Sequence, residues 1–166
     1  EFVYAHEAWE PEELKQSAKE REGAVICFAA QDSQEVLKTV MEQRNRQELY
    51  FVGQGNFFEK TDERTYRICR NNQEDYERLF EDIVRRNETI DGVYYLWTCD
   101  ENANLTIYED IIYLLKAVSK QNVSLSKILV GGIYHTSLER SYLEGCIGFG
   151  RSLGMVLKSV TMPIVM

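Results

Sequence analysis

Gly23-Ala24-Val25-Ile26-Cys27-Phe28-Ala29-Ala30 is a near-continuous apolar run. A strand with one wet face alternates apolar and polar residues, whereas a strand covered on both faces does not, so this run predicts the buried strand of a parallel sheet. Asp32-Ser33-Gln34-Glu35 follows, an N-cap side chain with a glutamate three positions on, and it predicts a helix with Val36, Leu37, Val40 and Met41 on one face. The pattern recurs downstream. Asn71…Glu74 precedes Tyr76, Leu79, Phe80, Ile83 and Val84, spaced as one helical stripe, and Thr106…Glu109 opens a helix through Val118. Ser141…Glu144 opens the last helix, whose expected buried face is Leu143, Cys146, Ile147, Gly150, Leu153, Gly154 and Leu157.

Between these helices, residues 48–53, 65–69, 92–98, 127–134 and 161–165 are short, β-branched or aromatic, and bounded by turn residues. No helical pattern separates 48–53 from 65–69, which predicts a local excursion or an antiparallel edge pairing there. Elsewhere the order is strand, helix, strand, so right-handed crossovers give an α/β three-layer, mostly parallel sheet with helices on both faces. Residues 23–166 form this body. Residues 1–22 read as an arm packing on the sheet edge or on a partner domain, because Phe2, Tyr4 and Trp9 precede a charged stretch and need cover for their apolar surface.

With 166 residues, 44% of them hydrophobic, the chain carries enough apolar surface for one core and is no disordered tail. Its 27 acidic against 19 basic residues give a net charge of -8, which repels a phosphate backbone and argues against nucleic acid as a partner. No apolar run approaches the ~20 residues that span a bilayer, and no secretion leader is evident. Cys27, Cys69, Cys99 and Cys146 lack CxxC spacing, which favours reduced buried thiols and a cytoplasmic setting over a metal site or disulfides.

The chemistry expected of an α/β enzyme is not in the pattern. Gly148-Phe149-Gly150-Arg151-Ser152-Leu153-Gly154 has close glycines, but a phosphate-cradling loop leaves a strand directly, and these lie inside the expected last helix. Gly150 and Gly154 are read instead as close-packing positions, and Gly131-Gly132 as a bulge or a close approach. A reductase of the short-chain type pairs a tyrosine with a lysine or asparagine one turn later. Here Tyr142 is followed by Cys146, Tyr113 by Ala117, Tyr108 by Ile112 and Tyr66 by Arg70. His135, at the carboxyl end of a strand with Ser137 after it and with Thr98 and Asp100 at another strand end, marks the rival reading: a small standalone oxidoreductase or transferase with a pocket there. Asp32 and Asp100 read as capping and solvated carboxylates. A binding module for an acidic carrier protein would need a basic patch from Arg85, Arg86, Lys15 or Lys19.

In order along the chain, Trp9-Glu10-Pro11, GAVICFAA, ELYFVGQGNFF, TYRI, DYERLFEDI, GVYYLWT, KILVGGIY and GCIGFGRSLGMV resemble the structural subdomain of modular polyketide synthase ketoreductases. The most specific part is Tyr95-Leu96-Trp97 at a strand end followed by Gly148-Phe149-Gly150-Arg151. The resemblance implies a truncated Rossmann-like, short-chain-dehydrogenase-like half in which Trp97, Gly150 and Gly154 are structural. It implies no cofactor in this chain, with NADPH held by a catalytic partner half that reduces β-ketoacyl groups on acyl carrier protein in bacterial secondary-metabolite synthesis. The partners it implies are that catalytic subdomain, neighbouring synthase domains and, indirectly, the acyl carrier protein. Phe2, Tyr4, Trp9, Ile164 and Val165 are the expected contacts, and the apolar ending Met162 to Met166 fits continuing or docked polypeptide.

Overall fold

The computed structural model describes residues 23–42, 48–86, 89–100, 107–157 and 160–166, the side chains of 41 and 42 excepted. The arm with Phe2, Tyr4 and Trp9, and Thr106, lie outside the described residues. The elements are β1 (Ala24–Phe28), α1 (Gln31–Glu42), β2 (Glu48–Gln54), β3 (Glu59–Asp62), β4 (Thr65–Ile68), α2 (Gln73–Val84), β5 (Ile90–Tyr95), a 3₁₀ turn (Trp97–Cys99), α3 (Tyr108–Lys120), β6 (Ile128–Gly131), α4 (Ser137–Val156) and β7 (Ile164–Val165).

They build one seven-stranded sheet in the order β3-β4-β2-β1-β5-β6-β7, parallel throughout except for β3. The apolar run is the central strand, pairing Phe28 with Val52 on one side and with Tyr95 on the other, and all five of its residues are buried. This is the expected α/β, mostly parallel, Rossmann-like sheet. The excursion between β2 and β4 is the edge hairpin β3–β4, while β2 and β4 themselves run parallel. Its sequence, Glu59-Lys60-Thr61-Asp62, has no apolar face to read. Two contacts to α2 hold the hairpin, Lys60 Nζ to Asp82 at 2.6 Å and Tyr66 Oη to Asp82 at 2.7 Å.

The layers are unequal. Ala24, Ile26 and Phe28 point into the main core with Tyr76, Leu79 and Phe80 of α2, Ile111 and Leu114 of α3, and Cys146 of α4. Val25 and Cys27 point the other way, to Leu49, Phe51 and Leu37 of α1. Three helices therefore cover one face and α1 alone the other. The helical crossover from β1 to β2 runs leftward and carries α1, those from β4 to β5, β5 to β6 and β6 to β7 run rightward and carry α2, α3 and α4, and right-handed crossovers put the two directions on opposite faces.

Four local readings are corrected. Asp32 lies in the first turn of α1 and does not cap it, and Val36 is 65% exposed with Val40 also open, so Leu37 alone of the described expected face turns inward. Asn72, one residue beyond the expected cap, accepts from the Glu74 N–H at 3.1 Å. The last helix starts five residues earlier than expected, capped by Thr136 rather than by Ser141. Thr136 accepts from the Glu139 N–H while the Glu139 carboxylate accepts from the Thr136 N–H, a complete capping box. The same motif occurs at Ser141…Glu144, but the buried stripe begins only at Leu143, which drew the expected start toward it. Finally, Trp97 and Thr98 leave the strand for the 3₁₀ turn.

Burial gives the core a pH signature. Burial pushes the Cys27 thiol up to about 12, and it raises the Tyr76 and Tyr95 hydroxyls, with the Asp110 charge adding to both. These groups stay protonated in the fold while the unfolded chain begins to release their protons near pH 9–10, so alkali favours unfolding. Stability is expected to be level below about pH 8 and to fall above pH 10 by up to about 1.4 kcal/mol per pH unit for each group. Urea titrations from pH 7 to 11 check this, and Tyr95→Phe should flatten the slope.

Candidate functional site

Open α/β sheets bind ligands outside the carboxyl ends of their strands, where the strand order reverses. In this sheet that point lies between β1 and β5. It is filled. The Leu96 N–H donates to the Phe28 carbonyl at 2.7 Å, which turns the chain over the end of β1. Trp97, fully buried, then lies edge-on against Phe28 at 5.1 Å and against Tyr95 at 5.6 Å. Its Nε1–H donates to the Val52 carbonyl at 3.1 Å, so the indole reaches across the end of β1 to β2. The indole, its N–H bonded and its surface fully buried, packs at the switch point as part of the core.

Beside the indole sits a buried polar cluster. Asp110, in the first turn of α3, accepts from Arg70 at 2.6 Å, from Tyr95 Oη at 2.6 Å and from Tyr76 Oη at 3.3 Å. Arg70 follows β4, Tyr76 opens α2 and Tyr95 ends β5, so one carboxylate ties together four segments at the same end of the sheet. Asp75 closes the neighbouring turn, accepting from the Cys69 N–H at 2.9 Å and from the Asn72 amide at 3.0 Å. Every carboxylate oxygen of Asp110 and Asp75 has a partner within the fold. Tyr95, raised by its burial, is a poor proton donor. The cluster is a lock between segments.

The residues of the rival pocket are spread among other tasks. Thr98 is buried and its hydroxyl donates to the Gly131 carbonyl. His135 is exposed, and its backbone N–H donates to Glu139 at 2.6 Å, where it and Thr136 hold the Glu139 carboxyl below its usual range. Ser137 is exposed on the first turn of α4. Burial, and then the neighbouring Asp32 charge, raises Asp100. A polar cleft of about 180 Å³ lies elsewhere, between the start of α1 and the hairpin, lined by Gln31, Gln34, Gly53, Gln54, Thr65 and Arg67.

The glycines serve approach. A Cβ on Gly132 would come within 2.6 Å of the Leu143 side chain, so α4 seats its first buried residue directly on the end of β6. A Cβ on Gly150 would stand 3.0 Å from the Met162 carbonyl oxygen, whereas one on Gly154 would meet Val160 at an ordinary 3.9 Å. At the last strand, Ile164 packs against the main core, while Val165 is 56% exposed. Among the described residues, no helix is long and apolar enough to cross a membrane.

Fold and crevice together define a class: a short-chain-dehydrogenase-like α/β domain with a buried indole packed at its switch point. The family model described as "Beta-ketoacyl synthase-like, N-terminal" matches residues 23–115, and the chain belongs to that family. By sequence it is similar to polyketide synthase PksM of Bacillus subtilis (strain 168), 31% identical over 153 residues, covering 91% of this chain and 4% of that one. By shape it is similar to a keto acid-selecting nonribosomal peptide synthetase module described by its adenylation, ketoreductase and pseudo Asub domains, at TM-score 0.71 and 18% identity, covering 93% of this chain and 14% of that one. An N-terminal ketoreductase from the macrolactin assembly line follows at TM-score 0.55 and 15% identity, covering 69% of this chain and 25% of that one. The ketoreductase-type, short-chain-dehydrogenase-like resemblance therefore holds, and the chain spans a small part of each of these multidomain proteins.

Proposed function

We propose that this chain is the non-catalytic scaffold half of a polyketide synthase ketoreductase, working in the cytoplasm. It stabilises an NADPH-binding catalytic half that reduces β-ketoacyl groups on acyl carrier protein. The observation that carries the reading is Trp97: the sheet keeps the shape of a nucleotide-binding fold while its own indole occupies the crevice. The family and the PksM likeness support the synthase setting. A folded scaffold that binds the folded partner and not its unfolded chain shifts that partner's equilibrium by mass action.

The test adds the purified chain to a ketoreductase catalytic half of a PksM-like synthase. At about a hundredfold excess over Kd the partner's Tm is expected to rise by roughly 5–10 °C. NADPH titrated into the chain alone should give no saturable signal. An unchanged Tm together with unchanged reductase activity sinks the proposal, as does ketone reduction by the chain unaided.

A further inference from the structure

The sheet face that carries α1 is covered over only part of its width among the described residues. Leu37 of α1 meets Val25, Cys27, Leu49 and Phe51, which belong to β1 and β2. Strand register carries the same face across to the other side of β1. Val25 pairs with Gly92, Cys27 with Tyr94, Tyr94 with Leu129, and Gly131 with Val165. Neighbours in a parallel ladder share a face, so these residues look away from α2, α3 and α4. Leu96 and Cys99 lie against Gly131 at the carboxyl end. Over Tyr94, Leu129 and Val165 there is no described helix.

A parallel sheet is found with both of its faces covered, so an apolar face of this width calls for a body over it. The chain enters the fold beside that face. Gly23 has φ of +142°, and a Cβ there would stand 3.0 Å from Thr89 Oγ1 and 3.3 Å from Asp91. The next residue continues the contact, the Ala24 N–H donating to the Thr89 carbonyl at 3.0 Å. The turn into β1 is therefore folded against the start of β5, the first strand of the uncovered part.

Residues 1–22, outside the described residues, join the fold at that turn and carry Phe2, Tyr4 and Trp9. Fourteen residues separate Trp9 from Gly23, a reach of up to roughly 45 Å, whereas β7 lies three strand spacings from β1, about 15 Å. Reach is ample. A second copy of the chain suits the face less well, because two bodies of net charge -8 repel each other. We propose that residues 1–22 are the cover of this face, with Trp9, their largest apolar side chain, on Leu129 at its centre and next to Val165. The segment then completes the second apolar layer of its own domain.

Trp9 and Trp97 are the chain's two tryptophans, so fluorine-labelled tryptophan gives the full chain two fluorine resonances, and Trp9→Phe assigns them. The Trp9 resonance should show little shift between light and heavy water, as a covered indole does, and should hold over a roughly thirtyfold range of protein concentration. Val165→Arg, at a position already open to solvent, and Leu129→Gln should each move it toward the value of free tryptophan and leave the Trp97 resonance in place. In urea, Trp9→Ala should lower the midpoint, and in the Leu129→Ala chain its effect should fall to about half. Three results overturn the proposal: a Trp9 resonance at the solvent-exposed value, one that shifts with concentration as a second copy would require, or one indifferent to both Val165→Arg and Leu129→Gln. No reductase partner takes part in these measurements, so their outcome is separable from the scaffold reading.

Discussion

Trp97→Ala is expected to lower the unfolding free energy by about 3–5 kcal/mol, the range for removing a fully buried tryptophan from a core. Phe28 and Tyr95 lose their edge-on neighbour and the Val52 carbonyl loses one of its two donors, Ala29 N–H at 3.0 Å remaining. Trp97→Phe keeps a ring but no N–H, and should cost about 1–2 kcal/mol. Urea unfolding at neutral pH reads both. If the alanine variant still folds, the emptied crevice is indole-shaped and dry, and millimolar indole should raise its midpoint and leave the unaltered chain's unmoved. A loss below 1 kcal/mol for Trp97→Ala would mean that the indole does not hold the strand ends together.

Asp110→Ala is the second large effect, also about 3–5 kcal/mol, because breaking a buried ion pair strands the remaining charge. Arg70, 13% exposed at its side chain, would keep its cation without the carboxylate, and the Tyr76 and Tyr95 hydroxyls would lose their acceptor. Replacing both charges should be milder than the single changes suggest, so Arg70→Met with Asp110→Asn is expected to cost well under the sum of the two. Additive losses would show that the pair contributes nothing as a pair. A surface bridge such as Arg85–Glu81 is expected to give at most ~1 kcal/mol by comparison.

The central strand and α2 were legible because their signals are local: an unbroken apolar run, and a stripe repeating every three or four residues. The carboxyl-end lock was not. Arg70 and Asp110 lie forty positions apart, and nothing near either residue announces the other. Trp97 reads as the end of a β-rich segment, and only the tertiary fold shows that its chain turns across β1. The edge strand Glu59–Asp62 has no apolar alternation because hydrogen bonds to β4 and the Lys60–Asp82 contact hold it. Sequence does not locate the start of α4 because two capping signals, Thr136…Glu139 and Ser141…Glu144, lie five residues apart, and which one acts depends on where Gly132 lets Leu143 rest. For the function, the residues lack a recognisable catalytic pattern, and the structure adds the buried indole at the switch point.

The placement of β1 at the middle of the sheet also governs how the chain is made. β2 and the hairpin can join β1 early, but its other neighbour is β5, which follows α2 in sequence. As the nascent chain leaves the ribosome, Ala24–Phe28 therefore waits with one hydrogen-bonding edge bare until Ile90–Tyr95 emerges. An apolar edge left open for that interval invites pairing with a neighbouring nascent chain. Slow decoding between the codons for Ile68 and Ile90 would lengthen the exposure, so the yield of soluble protein should depend on translation speed across that stretch.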